Sequence, residues 1–142
     1  MERKFHTAKN RSDLESFFPV MKELRPHLTL ESYLEIYEEA HRQDGYEIVA
    51  LKEGHQVLAL MGYRFLSDFV RGRHLYIDDL VSSESFRSKG LGAELLKHAE
   101  VIASLKDCKV LRLCTGTENN RGVQFYEKNG WLRRAFAYNK KI

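Results

Sequence analysis

The chain has 142 residues, of which 43% are hydrophobic and 30% charged, and its formal net charge is +3. This length predicts one globular domain over residues 1–142, since it allows a buried core but excludes a dinucleotide enzyme with a separate substrate domain. No apolar run is long enough to span a bilayer, and the first residues lack a signal-peptide core. We therefore expect a cytoplasmic protein with no membrane partner.

The residue types that bind nucleic acids and metals are scattered along the chain. Nucleic-acid binders usually concentrate their positive charge on one face, so we expect no nucleic-acid partner. The six histidines show no ligand spacing, and the sequence predicts no metal site. Cys108 and Cys114 are too few for a disulfide framework. Cys114 ends a predicted strand, and we interpret it as a small buried residue rather than a nucleophile.

Two helices are predicted in the N-terminal third. Ser12 and Glu15 have the spacing of a capping box, and the apolar periodicity after them stops at Pro26. A second helix is predicted between Thr29 as N-cap and Gly45 as terminator. Its polar face carries four acids, Glu31, Glu35, Glu38 and Glu39. These acids are typical of a solvated face, and the alternative is that they attract a cationic substrate.

Strands and helices alternate through the rest of the chain. Three strands near 46–51, 56–65 and 75–81 predict an antiparallel meander. A helix follows Gly90, then a strand at 110–114, a second helix from Asn119, and short closing strands at 131–134 and 135–140. The crossover through the Gly90 helix is long enough to make its flanking strands parallel. The fold class is therefore α/β (α+β), with a mixed, largely antiparallel central sheet and helices on both faces.

A glycine-containing turn joins the third strand to the helix after it, with the sequence Arg87-Ser88-Lys89-Gly90-Leu91-Gly92. Two glycines and two cations at a helix N-terminus attract phosphate, because unpaired N–H groups and the helix dipole point there. A P-loop is excluded because Ala93-Glu94 follows, and the dinucleotide fingerprint because Leu95 stands where it needs a small residue. From this turn alone, an ordinary turn before a surface helix stays the alternative.

A second motif follows downstream, from Asn119 to Trp131, with the sequence NNRGVQFYEKNGW. It resembles Asn-x-x-Ala-x-x-Phe-Tyr-x-x-x-Gly-Phe, and the first turn resembles Arg-x-x-Gly-x-Gly. These are the two signatures of the GNAT superfamily of N-acetyltransferases, in the order found there. The resemblance covers about residues 73–139. It implies a three-layer fold, a splayed pair of parallel strands, and acetyl-CoA as co-substrate.

The resemblance also implies where the co-substrate and the catalytic groups lie. Backbone groups of Leu80, Val81 and Ser82 would pair with the pantetheine arm. Asn119 and Gly122 of the second motif would also lie at the cofactor. Tyr126 would protonate the leaving thiolate; the alternative for Tyr126 is an aromatic that only packs in its helix. The pyrophosphate would be held by Arg87, Ser88, Lys89, Gly90, Leu91, Gly92 and Ala93.

Asp78 and Asp79 are the candidates for a general base. Strand alternation predicts that they point to opposite faces, so only one would reach the cleft. Asp78 matches the acidic position that some relatives use as base, and we rank it above Asp79, although many family members use water chains. Gly122 departs from the family's alanine and lowers helix propensity by roughly 1 kcal/mol.

The function that this resemblance implies is transfer of an acetyl group from acetyl-CoA to a primary amine on a small molecule or a protein. The alternative is a module of the same fold that senses coenzyme A without turnover. The family often forms dimers, which makes a homodimer an expectation from resemblance alone.

Overall fold

The computed structural model describes residues 2–87 and 89–142. The chain divides into two compact units, Met1–Arg112 and Leu113–Ile142. Among the helices described, none has the length and apolar character needed to cross a membrane. The elements in chain order are β1 (Arg3–Thr7), α1 (Arg11–Leu24), α2 (Leu30–Asp44), β2 (Glu47–Glu53), β3 (Gln56–Asp68), β4 (Gly72–Ser82), a short 3-10 helix (Glu84–Phe86), α3 (Leu91–Leu105), β5 (Leu111–Leu113) and α4 (Asn120–Lys128).

Five strands form one sheet in the order β1-β2-β3-β4-β5. The first four pair antiparallel with their sequence neighbours. β5 runs parallel to β4, and the Leu75 N–H donates to the Val110 carbonyl just before β5 at 3.1 Å. The predicted mixed, largely antiparallel sheet is therefore confirmed. β1 was not predicted, because its five residues include one large apolar side chain, Phe5, and give little alternation.

Helices cover both faces of the sheet in the first unit, as two neighbouring residues of β1 show. The Phe5 ring stacks on His98 of α3 with centroids 3.8 Å apart. His6 points the other way, with its Nε2 3.0 Å from the Asp13 carboxylate of α1. Because successive strand residues face opposite sides, α1 and α3 lie on opposite faces. The core under α1 and α2 includes Leu14, Phe17, Val20, Met21, Tyr33, Ile48, Ala50, Leu60 and Val81.

α1 begins one residue before the predicted capping box. Asn10 is its N-cap and accepts from the Asp13 N–H at 2.8 Å. The Asp13 carboxylate in turn accepts from the Lys9 N–H at 2.9 Å. Glu15 pairs instead with Arg11 on the exposed surface. The prediction of a Ser12 cap was wrong because a second polar pair of the same spacing, Asn10 and Asp13, lies two residues upstream. Its side chains accept the hydrogen bonds of the backbone N–H groups at the start of the helix.

The predicted ends of α2 are confirmed. Thr29 caps its first turn in a reciprocal box with Ser32. Gly45 ends it with φ +68°, in the left-handed region where glycine carries no Cβ penalty. The four acids of its polar face, Glu31, Glu35, Glu38 and Glu39, are all exposed.

The two closing strands predicted at 131–134 and 135–140 are wrong. The described chain from Trp131 to Ile142 contains no strand. Apolar residues do alternate there, but Leu132, Phe136 and Tyr138 are 77–90% exposed. Alternation favours a strand only where a neighbouring strand and a buried face are available, and here the side chains bury nothing.

Cys114 is a second correction in the same unit. It follows the three-residue strand β5, whose residues are half-buried, and it is exposed. The interpretation of Cys114 as a small buried residue was therefore wrong. Cys108, by contrast, is buried.

Candidate active site

The N-terminus of α3 is open to a ligand. Its N-cap is Gly90 at φ +75°, and no side chain caps the first turn. The first backbone bond of the helix runs from the Glu94 N–H to the Gly90 carbonyl at 3.1 Å. The three preceding N–H groups, of Leu91, Gly92 and Ala93, have no acceptor among the described residues. They form a set of donors that suits an anion.

Two cations flank these donors. Arg87 and Lys89 are both exposed, and the Lys89 ammonium lies 5.8 Å from the centroid of the Phe86 ring. A Cβ built on Gly90 would meet no atom within 4 Å, so the space in front of the turn is open. Ser88, the remaining predicted cradle residue, lies outside the described residues. The described part of the cradle fits a diphosphate by charge, by donors and by space.

The last residues of β4, Leu80–Ser82, lead toward this turn. They lie opposite Ala59–Met61 of β3. β4 has eleven residues and β5 three, so most of β4 extends beyond its parallel neighbour. After β4, the Glu84 N–H donates to the Glu23 carboxylate of α1 at 2.7 Å. Because β5 is shorter than β4, the end of β4 has an edge, unpaired among the described residues, that an extended ligand could join.

A β-bulge interrupts β4 at Asp78. Gly62 of β3 lies opposite Asp79, and the next residue, Tyr63, lies opposite Ile77. Asp78 is thus the extra residue that has no cross-strand partner. The simple alternation that predicted opposite faces for the two aspartates does not hold across such a bulge, and an arginine binds each carboxylate.

Arg64 binds the carboxylate of Asp78. Its Nε donates to Asp78 Oδ2 at 3.0 Å, and its Nη1 donates to Asp44 at 2.7 Å. Burial raises the pKa of Asp78 above its ordinary value, and the Arg64 bond opposes this shift. Among the described residues, only Arg64 donates to the Asp78 side chain, and the bond uses one oxygen. The other oxygen keeps its capacity to accept a proton.

Asp79 is held more completely. The Tyr46 hydroxyl donates to its Oδ2 at 2.5 Å. Arg25, the C-cap of α1, donates to its Oδ1 from Nε at 3.1 Å and from Nη2 at 3.0 Å. The Asp79 side chain is 14% exposed. Burial, and then the charge of Asp79, raises the pKa of Tyr46 well above its ordinary value, so the phenol stays protonated and donating.

In the second unit, Asn119 closes the N-terminus of α4. Its Oδ1 accepts from the Gly122 N–H at 3.1 Å, and its Nδ2 donates to Thr115 Oγ1 at 2.9 Å. A Cβ on Gly122 would lie 2.3 Å from Asn119 Nδ2. Glycine at this position therefore leaves room for the capping side chain, where the motif that the segment resembles has alanine.

Tyr126 lies in the last turn of α4, next to two aromatic rings. Its ring centroid is 5.3 Å from that of Phe125 and 6.0 Å from that of Trp131. Burial raises the pKa of Tyr126 above its ordinary value. No group among the described residues hydrogen-bonds to its hydroxyl. The phenol is therefore protonated at neutral pH, and within the described part of the chain its O–H has no acceptor.

Sequence reasoning missed Arg25, Arg64 and Tyr46, which surround the two aspartates. None belongs to a motif, and each lies far from Asp78 in the chain. One local signal was available, because an isolated glycine inside a strand, here Gly62, marks a bulge or a close approach.

Comparison with known proteins places the chain among acetyltransferases. The family model described as acetyltransferase (GNAT) family matches residues 9–131. The uncharacterized N-acetyltransferase YhdJ of Bacillus subtilis is 32% identical over 126 residues, covering 88% of this chain and 89% of that protein. Mouse thialysine N-ε-acetyltransferase is 26% identical over 148 residues, covering 88% and 87%.

The fold is also found in solved structures. The aminoglycoside N-acetyltransferase AAC(6')-Iy in complex with CoA superposes with a TM-score of 0.83 at 18% identity. The match covers 99% of this chain and 96% of that one. At this identity the match shows the shared fold.

Proposed function

Because the chain belongs to the acetyltransferase (GNAT) family, we propose that it transfers the acetyl group of acetyl-CoA to a primary amine. The observation that carries the proposal is the uncapped N-terminus of α3 at Gly90, which follows β4 and a short 3-10 helix. Bound acetyl-CoA supplies the acetyl group as a thioester.

The cofactor-binding residues proposed here act mainly through their backbone. The free N–H groups of Leu91, Gly92 and Ala93 would bind the pyrophosphate, and Arg87 and Lys89 would neutralise its charge. Leu80, Val81 and Ser82 would pair with the pantetheine arm as an added strand, which the short length of β5 allows. Ser88 would complete the cradle.

Asn119 and Gly122 contribute differently. The Asn119 amide is bonded at both ends, but its NH₂ group has a second hydrogen that can reach a ligand carbonyl. We assign it the pantetheine contact that the family resemblance implies. Gly122 would act through Asn119, since its lack of a side chain lets the amide take this position.

We assign Tyr126 as the general acid. An acid must hold its proton at the working pH, and the raised pKa of this phenol meets that condition. A phenol is a weaker acid than a thiol, whose ordinary pKa is about 8.5, so transfer to the thiolate depends on positioning and on exclusion of water. The rings of Phe125 and Trp131 restrict where the hydroxyl can point.

We assign Asp78 as the group that takes the proton from the amine, directly or through water. An amine is protonated at neutral pH and must lose a proton before it can attack. Asp78 has an oxygen outside the Arg64 bond, whereas the carboxylate of Asp79 already accepts from three donor atoms. The acceptor is then a cationic amine, such as thialysine, which the name of the mouse relative points to.

A coenzyme A sensor of the same fold is the competing function. A protein that only binds the cofactor has no need of a proton-donating phenol at position 126 of the second motif. Turnover separates the two. The protein is mixed with acetyl-CoA and one amine at a time: thialysine, spermidine or neamine. Release of free thiol is measured over time, and a mixture without the protein is the control.

Thiol release that depends on the amine is the expected result. Coenzyme A binding by calorimetry without turnover of any amine would favour the sensor. Absence of both binding and turnover would contradict the proposed function.

A further inference from the structure

We infer that Arg25, Tyr46 and Asp79 form a clamp that holds the β4 bulge and thereby positions Asp78. The inference rests on the proposed role of Asp78 in deprotonating the amine. Arg25 directly follows α1, Tyr46 directly precedes β2 and Asp79 lies in β4, and each contact joins residues at least 33 positions apart. The clamp residues are positioning residues, because they act through Asp78 and touch no reacting atom.

Arg25 satisfies the backbone of the bulge as well as the side chain beside it. An extra residue in a bulge has no cross-strand partner, so its carbonyl needs another donor. Arg25 Nη2 donates to the Asp78 carbonyl at 3.1 Å and to the Asp79 carboxylate at 3.0 Å. One guanidinium therefore fixes two successive residues of the strand, which a lysine point charge could not do with the same geometry.

Tyr46 fixes the opposite side of the Asp79 carboxylate. The tyrosine is buried, with 7% of its surface exposed. Its hydroxyl reaches Asp79 only because residue 62 is glycine: a Cβ there would lie 2.0 Å from the Tyr46 oxygen and 2.7 Å from Asp79 Oδ2. Gly62 is also the cross-strand partner of Asp79. The glycine, the bulge and the tyrosine thus belong to one arrangement.

The same environment makes Asp79 unsuitable as the base. Both of its oxygens accept bonds from buried or partly buried donors, and a proton on either oxygen would break a charge-assisted bond. The adjacent Asp78 is bonded on one oxygen. The clamp therefore divides the two neighbouring acids into a structural and a reactive carboxylate.

Tyr46→Phe tests the inference, because it removes one hydroxyl and keeps the ring. Tyr33→Phe is the matched control: Tyr33 is 4% exposed, and its hydroxyl donates to the Leu14 carbonyl of α1 at 2.8 Å and to no group of β4 among the described residues. Each variant loses one side-chain hydrogen bond, and we expect the larger shift of the urea midpoint in Tyr46→Phe, because its bond goes to a charged carboxylate and the Tyr33 bond to a neutral carbonyl.

Hydrogen exchange in the free protein gives the first result. We expect the amides of residues 77–82 to exchange faster in Tyr46→Phe than in Tyr33→Phe and the wild type. Equal exchange in the two variants would overturn the clamp. This measurement requires no substrate, so it decides the matter even for a protein that turns over none of the three amines.

Kinetics give the second result, with whichever of the three amines reacts fastest. Misplacing a reacting group by a fraction of an ångström lowers kcat, and we expect Tyr46→Phe to reduce it about tenfold with KM changed less than about threefold. Coenzyme A affinity should fall less than kcat, since the donors of the α3 turn stay intact and the loosened strand contributes only the pantetheine contacts of residues 80–82. Tyr33→Phe should leave kcat unchanged.

A double variant separates failure of the clamp from failure of the proposed function. If Tyr46 acts only through Asp78, adding Tyr46→Phe to Asp78→Asn lowers kcat no further. Full activity in Asp78→Asn would contradict the proposed base. Reduced activity in Asp78→Asn with wild-type activity in Tyr46→Phe would contradict the clamp alone.

Discussion

The two helices that carry the glycine-containing motifs begin in opposite ways. α3 starts at Gly90 with no side-chain cap, and three of its N–H groups have no acceptor within residues 2–87 and 89–142. α4 starts at Asn119, whose side chain accepts from the Gly122 N–H. Each helix has a glycine near its start, but one glycine opens the turn to an anion and the other makes room for a cap. The two motifs therefore use their glycines for different purposes.

If the proposed function holds, we expect α3 to bind the cofactor through backbone N–H groups and α4 to act through its side chains. The largest effect should come from Tyr126→Phe, which removes the free hydroxyl and keeps the ring between Phe125 and Trp131. Loss of a general acid costs on the order of 10²–10⁴ in rate, so we expect turnover to fall by that factor. Steady-state kinetics and calorimetry together check the prediction.

Coenzyme A affinity should be nearly unchanged in Tyr126→Phe, because the variant leaves α3 intact. Phe125→Leu, which alters the neighbouring ring but keeps the phenol, serves as the control for packing. Wild-type turnover by Tyr126→Phe, under conditions where the chemical step limits the rate, would remove Tyr126 from the mechanism.

Asp78 lies in β4 and belongs to neither of the two helix N-termini. Its replacement should therefore slow the chemical step without changing cofactor binding. We expect Asp78→Asn to lower kcat/KM about 10- to 100-fold, near the low end for a general base because water can replace it. The measurement is kcat/KM against pH for the best amine, with calorimetry of coenzyme A alongside.

The pH profile has a definite sign. Asp78 works when ionised, and burial raises its pKa, so wild-type activity should fall as the pH drops through this raised pKa. The acidic limb therefore lies at higher pH than for an ordinary aspartate, and Asp78→Asn should remove it. An identical limb in the variant would assign the titration to another group.

Gly90→Asp tests the open end of α3 directly. The carboxylate would oppose the pyrophosphate by charge, and we expect coenzyme A affinity to fall at least about tenfold. Gly90→Asn is the matched control, since it has the same size and the same strain at φ +75° without the charge. The difference between the two variants, measured by calorimetry, isolates the electrostatic part. Equal affinity in both, at the wild-type value, would place the cofactor elsewhere.

The smallest effect concerns the cap of α4. Alanine is a better helix former than glycine by roughly 1 kcal/mol, yet Gly122→Ala should destabilise this protein because the methyl group would displace the Asn119 cap. In an Asn119→Ala background, which itself costs about 1 kcal/mol, the same Gly122→Ala change should stabilise. Urea denaturation of the wild type, the two single variants and the double variant measures this double-mutant cycle. If Gly122→Ala stabilised the otherwise wild-type protein, the proposed displacement of the Asn119 cap would be contradicted.

Local signals in the sequence determined much of the fold and the open turn before α3. Thr29 and Gly45 set the ends of α2 because capping groups and a left-handed glycine act within a few residues. The turn at Gly90 was predictable for the same reason: a glycine between a strand and an amphipathic helix leaves the first-turn donors free wherever the rest of the chain lies.

Tertiary structure decided what depends on distant partners. The bulge at Asp78 and the Arg25–Asp79 contact, 54 residues apart, arise only when α1 and β3 lie against β4. The alternating residues after Trp131 show the converse, since their pattern favours a strand but their side chains stay exposed. Capping and helical periodicity are short-range and can be read along the chain, whereas strand pairing and buried charge pairs depend on which surfaces meet. The sequence therefore determined the family and the open turn of α3, and the folded chain decided which of the two aspartates is left able to accept a proton.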